Sequence, residues 1–366
     1  MPRVRDITTR AISGNGISDV GGRFRLDLPQ RHAPVPFGRK REAVAFVREL
    51  EQLCDDYWAS QDKGRETNYE DIAYVAKQIE DGLMSEYENP ALYPLNQKLL
   101  DNGRTQDDLR DIADLTANYI EDVVCGMLGK PVGAVDDLAA ISDAFNDQTV
   151  GAITVATLNH DLVLESLFER TRTRYSDGFG REHGTLRVWN NSFDVPSRRL
   201  LKLHGSIDWW RYEFTLDRFT GQFTAIPVNG DHDHPRGPNG ENLGYSLSAR
   251  PLILTGTFNK ILAYPTGIYA DQHFQFHNTL EAADALIVIG YGFRDKAINA
   301  RIISWAERPG SRRMIVVHRD PMSFSTTARG AIRDKWETWQ KRGLLAFMPG
   351  HLSPTTTWRS IKDLLA

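Results

Sequence analysis

Hydrophobic and polar positions divide the chain into two patterns. Between residues 40 and 148, apolar residues recur at the spacing that places them on one face of a helix. Phe46, Val47, Leu50, Leu53, Cys54 and Tyr57 share the first such face. Asn68, capped against Asp71, opens a second helix carrying Ile72, Val75, Ala76, Ile79 and Leu83. Thr105 with Asp108 has the form of a capping box, and Leu109, Ile112, Leu115, Tyr119, Ile120, Val123, Val124 and Met127 continue a third. Asp136 to Phe145 predicts a fourth. From residue 150 the pattern becomes short apolar runs that stop abruptly in polar residues. Ile153–Thr157, Leu200–Leu203, Leu252–Thr255, Ala285–Ile289, Met314–Val317 and Leu344–Phe347 predict strands. Helices starting near His160, Asp295 and Ala331 separate some of them. Strands alternating with helices predict an α/β fold, a Rossmann-like doubly wound parallel sheet.

The corner after the first of these strands holds the densest chemistry. Ile153-Thr-Val-Ala-Thr157 is β-branched and small, then gives way to Asn159, His160 and Asp161. Leu162, Val163, Leu164, Leu167 and Phe168 follow at helical spacing. In open α/β sheets, ligands sit at the carboxyl ends of strands, where the next helix points its free N–H groups. Asn159 and Asp161 are therefore either helix caps or parts of a reaction centre. Two other strand ends carry polar groups: His204-Gly205, and Gly290-Tyr291-Gly292 with Arg294 and Asp295.

Length and composition narrow the class. The chain has 366 residues, which suggests one large domain with an insertion, or two domains. With 41% hydrophobic and 25% charged residues it falls in the ordinary range for a soluble globular protein. A net charge of -4 gives no nucleic-acid or membrane-surface signal. No run of about 18 apolar residues is present to span a membrane, and Met1-Pro-Arg-Val-Arg-Asp6 lacks the apolar core of a signal peptide. Cys54 and Cys125, both within helical patterns, read as core thiols of a cytoplasmic protein and cannot form a four-cysteine zinc site.

Two stretches stay open on local chemistry. Gly14-Asn-Gly16-Ile-Ser18 with Gly21-Gly22 is either a phosphate-cradling loop after a first strand at residues 7–13 or the turn of a β-hairpin. Residues 208–250 are turn-rich and read as a hairpin and long loop. Within them Asp231-His232-Asp233-His234 offers metal-ligand types without a further well-spaced ligand, so no metal is expected.

Three motifs taken in order resemble the sirtuin family, in particular its zinc-less bacterial branch of NAD-consuming antiphage defence proteins. Thr157-Leu-Asn-His-Asp161 is similar to the family's Thr-x-Asn-x-Asp motif. Lys202-Leu-His-Gly205 is similar to the Leu-His-Gly motif that holds the catalytic histidine. Ile289-Gly-Tyr-Gly-Phe-Arg-Asp295, with Asn299, is similar to the Gly-Tyr-Ser-x-x-Asp segment of that branch, and Asn68-Tyr-Glu-Asp-Ile72 to a helix-opening motif of its helical insertion. The match covers roughly residues 150–320. Under the resemblance, Gly14, Gly16 and Ser18 fit the first phosphate-binding loop, although Gly22-Arg-Phe24 replaces the usual Gly-Ile-Pro. The four-cysteine ribbon of protein deacylases is missing, and Gly-Tyr-Gly replaces their Gly-Thr-Ser.

The resemblance implies a Rossmann-like domain of residues 1–30 plus 149–366, a helical insertion at 31–148 and an excursion at 208–250. It implies an NAD hydrolase with NAD as substrate and with Asn159, His204 and Asp161 as catalytic residues. Gly14, Gly16, Ser18, Thr157, Gly290, Gly292, Asp295 and His318 are the implied NAD-contacting positions. A homo-oligomer, with a defence-system partner or phage trigger gating the activity, is implied as well. Competing classes are a non-catalytic subunit sensing NAD or ADP-ribose, a deacylase, and a dehydrogenase. The last would need an acidic residue about 20 positions after the glycines; residues 34–40 contain none, and Glu42 lies in the next helix.

Overall fold

A computed structural model of the chain describes residues 37–61, 67–84, 89–130, 135–216, 219–256 and 259–365. The phosphate-loop positions Gly14, Gly16 and Ser18 and the strand expected at residues 7–13 lie outside the described residues. In chain order, the helical segment comprises α1 (Phe37–Ser60), α2 (Tyr69–Leu83), α3 (Tyr93–Leu100) and α4 (Gln106–Leu128). Helix α5 (Ala139–Asn146), strand β1 (Ile153–Thr157) and α6 (Val163–Arg170) follow. Next come β2 (Phe179–His183), β3 (Leu186–Trp189), β4 (Arg198–Lys202), β5 (Trp210–Leu216), β6 (Phe219–Pro227) and β7 (Tyr245–Ser246). After α7 (Asn259–Ala263) and α8 (Gly267–Ala282), strands β8 (Ala285–Ile289), β9 (Arg313–His318) and β10 (Leu345–Pro349) alternate with α9 (Lys296–Ala306), α10 (Phe324–Thr327) and α11 (Ala331–Lys341). Helix α12 (Trp358–Lys362) comes last. Among the described residues, no helix is long and apolar enough to cross a membrane.

The chain divides into two compact units. Among the described residues, one comprises those from 37 to 130, from 181 to 188 and from 204 to 263. Its helices start where the sequence supplies caps: Asn68 Oδ1 accepts from the N–H groups of Glu70 and Asp71, and Thr105 Oγ1 accepts from Asp108 N–H. Each cap is reciprocated by the acid at the third helical position, which completes a capping box. Phe46, Val47 and Leu50 of α1 pack against Ile72, Ala76 and Ile79 of α2 and Leu109, Ala113 and Ile120 of α4 in one core. The apolar face of α1 does not persist to its end, since Tyr57 is exposed. Cys54 and Cys125 are half-buried rather than fully in the core.

Strands β5, β6 and β7 of the 208–250 excursion join β2 and β3, which precede it, in an antiparallel sheet of order β2-β3-β6-β5-β7, packed through Leu186, Trp210, Tyr212, Ala225 and Leu243. Arg250 forks onto both carboxylate oxygens of Asp122, and Lys260 pairs with Glu70, tying this stretch to the helices of the same unit. Within the Asp231–His234 cluster, the His232 ring stacks on Trp210 with centroids 3.6 Å apart, and Asp231 Oδ1 accepts from the N–H groups of Asp233 and His234. Among the described residues no group of histidine, cysteine and acid side chains is arranged to hold a metal. Leu252–Thr255, expected as a parallel strand, is instead held antiparallel to residues 204–206: Ser206 N–H donates to Leu252 O at 3.0 Å and Leu254 N–H to His204 O at 2.8 Å. The apolar run reflects burial of Ile253 in the helical core, not a place in a parallel sheet.

The other unit comprises residues 131–180, 189–203 and 264–366 and contains the parallel α/β part. β1 pairs with β4 in parallel register, Thr157 opposite Lys202. β8, β9 and β10 form a second parallel group in the order β10-β9-β8. Parallel neighbours need crossovers, and α9 supplies the one between β8 and β9. Leu201 and Leu203 share a core with Val288, Met314, Val316, Phe293, Trp305, Trp336 and Trp339, so the two parallel groups pack together. The fold is therefore the α/β class that the alternation of runs predicts.

Arg198 opens β4 and organises the approach to β1. Its guanidinium donates to five backbone oxygens, those of Phe145, Gly151, Ser197, Asp147 and Val150, at 2.6–3.1 Å. Those five bonds use every donor of the side chain. Replacing Arg198 with Met leaves these carbonyls without the charged donor and is expected to cost about 2–4 kcal/mol. The shift in the urea unfolding midpoint of the full chain checks this, and Arg198→Lys, with fewer donors, should recover only part of the loss.

Candidate active site at the strand ends

The corner after β1 is built from short-range bonds. Asn159 N–H donates to Thr157 Oγ1 at 3.1 Å, which bends the chain out of the strand. Asp161 Oδ1 accepts from Val163 N–H at 3.2 Å, a local turn that leads into α6, whose N-cap position is Leu162. His160 turns inward and is buried. Asn159 turns outward and is exposed, and it does not serve as a cap. Neither Asn159 nor Asp161 occupies the N-cap of α6: Asp161 closes the turn before the helix, and Asn159 is exposed.

The end of β4 lies beside this corner. Leu203 N–H donates to Thr157 O at 2.9 Å, extending the pairing one residue past the strand. Lys202 is only 3% exposed. Its ammonium pairs with Glu165 of α6 at 2.8 Å and donates to the backbone oxygen of Asp161. On the opposite edge α8 supplies side chains where a further strand would supply backbone. Gln272 Oε1 accepts from Lys202 N–H at 3.2 Å, and His273 Nε2 donates to Leu203 O at 3.2 Å. The His273 ring lies against Tyr264, with centroids 3.9 Å apart. His204 is the next residue along the chain and the first of its segment in the helical unit; it is buried and is followed by Gly205 at φ +83°.

The loop from β8 to α9 is rigidly braced. Gly290 adopts φ +64°, a conformation that side chains disfavour, with open space where a Cβ would stand. Gly292 is similarly open, its nearest neighbour being Arg294 Cγ at 3.9 Å. The preceding residue, Ile289, is an exposed apolar side chain at the strand end. Beneath the glycines, the Tyr291 hydroxyl donates to Asn299 Oδ1 at 2.8 Å and accepts from Asp295 N–H at 3.2 Å. Asn299 Nδ2 donates to Phe293 O at 2.8 Å. Phe293 carries a positive φ of 51° and is fully buried between Phe324 and Trp336. Burial, and then the Asp295 carboxylate, push the Tyr291 phenol above its usual range, so it stays a neutral donor. Asp295 Oδ1 caps α9 through Ala297 and Ile298 N–H, while Oδ2 accepts from Tyr264 at 2.6 Å.

β9 ends beside this loop, with Gly290 N–H bonded to Val317 O. His318 Nδ1 accepts from Asp320 N–H at 3.1 Å, which places the ring proton on Nε2. Its ring rests on Phe324. The parallel α/β unit thus gathers Thr157, Asn159 and Asp161 at one pair of strand ends and Gly290, Gly292, Asp295 and His318 at the other. The motifs do not point to Glu165, Gln272, His273 or Tyr264. The sequence carries no signal for α8: its buried face holds Gln272 and His273, while Phe274 next to them is 59% exposed, an inversion of the pattern that apolar periodicity assumes.

In a parallel α/β fold, ligands bind at the carboxyl ends of the strands, where this chain places its polar corners. The chain belongs to the SIR2-like domain family, whose model matches residues 153–344. A solved structure from a work titled "Structural Basis for the Mechanism and Regulation of Sir2 Enzymes" is similar at 13% identity, over 80% of this chain and 96% of that one, with a TM-score of 0.35. No curated protein matches the chain.

Tyr291→Phe removes the hydroxyl that joins Asn299 to the start of α9. With the Asn299 amide left buried, it should destabilise the chain by about 1–3 kcal/mol in chemical denaturation.

Proposed function

We propose that this SIR2-like chain is an NAD hydrolase that cleaves the bond between nicotinamide and ribose. The observation that carries this reading is the exposed Asn159 amide at the end of β1, beside the strand end that leads into His204. Family membership supports NAD as the substrate class.

In the reaction the C–N glycosidic bond breaks with its electron pair going to the nicotinamide nitrogen. Nicotinamide, cationic while bound, thereby departs neutral. Positive charge develops on the ribose as in glycoside hydrolysis. A water oxygen then bonds to the anomeric carbon and its proton leaves to His204, giving ADP-ribose (or, if a ribose hydroxyl attacks, a cyclic product). Asn159 orients the ribose hydroxyls and the water, where placement matters more than acid chemistry. Asp161 adds negative charge at the corner that favours the developing cation. His204 acts as general base, for which an imidazole suits neutral pH. Thr157, which holds Asn159 through its hydroxyl, supports the ribose end. Gly290, Gly292, Asp295 and His318 receive the adenosine half, and Gly14, Gly16 and Ser18 cradle the pyrophosphate. The wider role is a gated effector of antiphage defence, restrained by self-assembly or by a partner protein until triggered.

The full chain incubated with NAD should release nicotinamide. Asn159→Ala and His204→Ala should each lower that release by about 10²–10⁴-fold without loss of folded structure. Equal release from wild type and Asn159→Ala would refute the role of Asn159. NAD binding without any turnover would instead favour a regulatory subunit that senses NAD or ADP-ribose.

A further inference from the structure

Lys202 is a buried ammonium with no part in the cleavage chemistry. Burying a charge is costly unless it is paired and hydrogen-bonded, and here both conditions are met by two neighbours. One is Glu165, in the first turn of α6, at 2.8 Å. The other is the backbone oxygen of Asp161, inside the corner itself. The same residue donates its backbone N–H to Gln272, and its strand partner is Thr157, whose hydroxyl holds Asn159. Lys202 therefore bonds the corner directly through the Asp161 carbonyl, and stands opposite Thr157 in the strand pairing that Leu203 N–H completes.

We propose that Lys202, paired with Glu165, is a positioning residue that fixes the Asn159–Asp161 corner for catalysis. The inference rests on the NAD-cleavage reading for its catalytic consequence and on geometry alone for its structural one. A corner held only by short-range turns would let Asn159 sample orientations that bind substrate but do not align the water. The ammonium removes that freedom because it bonds a carbonyl of the corner directly. The loss on removing it should accordingly fall on kcat and leave KM near its wild-type value.

The test separates positioning from packing. Lys202→Met combined with Glu165→Leu replaces the buried ion pair with apolar side chains of similar volume, a change that commonly preserves stability. The double variant should melt near the wild-type temperature. Its kcat for nicotinamide release should fall about 10- to 100-fold, the scale expected of a small misplacement, with KM little changed. Amide exchange across residues 158–162 should quicken. A double variant with wild-type kcat, or with unchanged exchange at the corner, overturns the proposal. If the wild-type chain releases no nicotinamide, the functional reading fails and the exchange comparison alone decides this inference. Should the double variant not fold, Glu165→Gln, which keeps an acceptor for the ammonium but removes its countercharge, is measured in its place. It should show the same effects in smaller measure, and wild-type kcat and exchange in it would equally overturn the proposal.

Discussion

The end of β4 is held from two sides, and the candidate site depends on that constraint. β1 supplies backbone on one edge, through Thr157 O and Leu203 N–H. On the other edge α8 supplies Gln272 and His273 in place of a strand. A strand end with one free edge would fray, because unpaired N–H and C=O groups prefer water to a dry interior. Here Lys202 N–H and both backbone groups of Leu203 are bonded immediately before His204, and the ammonium of Lys202 ties the same point to α6. The helix that covers the edge also carries His273 onto Tyr264, and Tyr264 reaches Asp295 of the second pair of strand ends. One chain of bonds thus runs within the α/β unit from the corner after β1 to the loop after β8.

Capping and chemistry draw on the same residue types at these corners. Asp295 caps α9 through two backbone N–H groups, and Asp161 accepts one backbone N–H in the turn before α6. That engagement fixes where their charge sits. Asn159 is set apart by what it does not do: it caps no helix and is exposed. At the second pair of strand ends Gly290 is exposed and Gly292 half-buried, and Tyr291, Asn299 and Phe293 form the support beside them.

Much of this was legible in the sequence, for reasons that differ by element. β1, β8 and β9 carry apolar, partly β-branched runs of the kind parallel strands show, whereas β4 was marked only by Leu200 and Leu201 between Arg198, Arg199 and Lys202. Helices α2 and α4 announced themselves by capping boxes. Leu252–Thr255 misled because an apolar run reports burial, and burial here comes from the helical core beside a short antiparallel bridge. The strand-end motifs marked the corners but not what holds them. Gln272 and His273 bond backbone groups some 70 positions earlier in the chain, and Glu165 meets Lys202 across 37 positions. Side chains whose partners are a distant carbonyl or ammonium leave no periodic trace, so only the folded arrangement reveals them.

The most direct measurement is a proton NMR time course of the full chain with NAD, run beside Asn159→Asp, which keeps the side-chain shape while replacing the amide. Nicotinamide and ADP-ribose (or its cyclic form) growing in equal amounts from the wild type, with neither from Asn159→Asp, is the predicted result. NAD left intact by the wild type, or consumed equally by both proteins, would contradict the assignment of glycosidic cleavage to this corner.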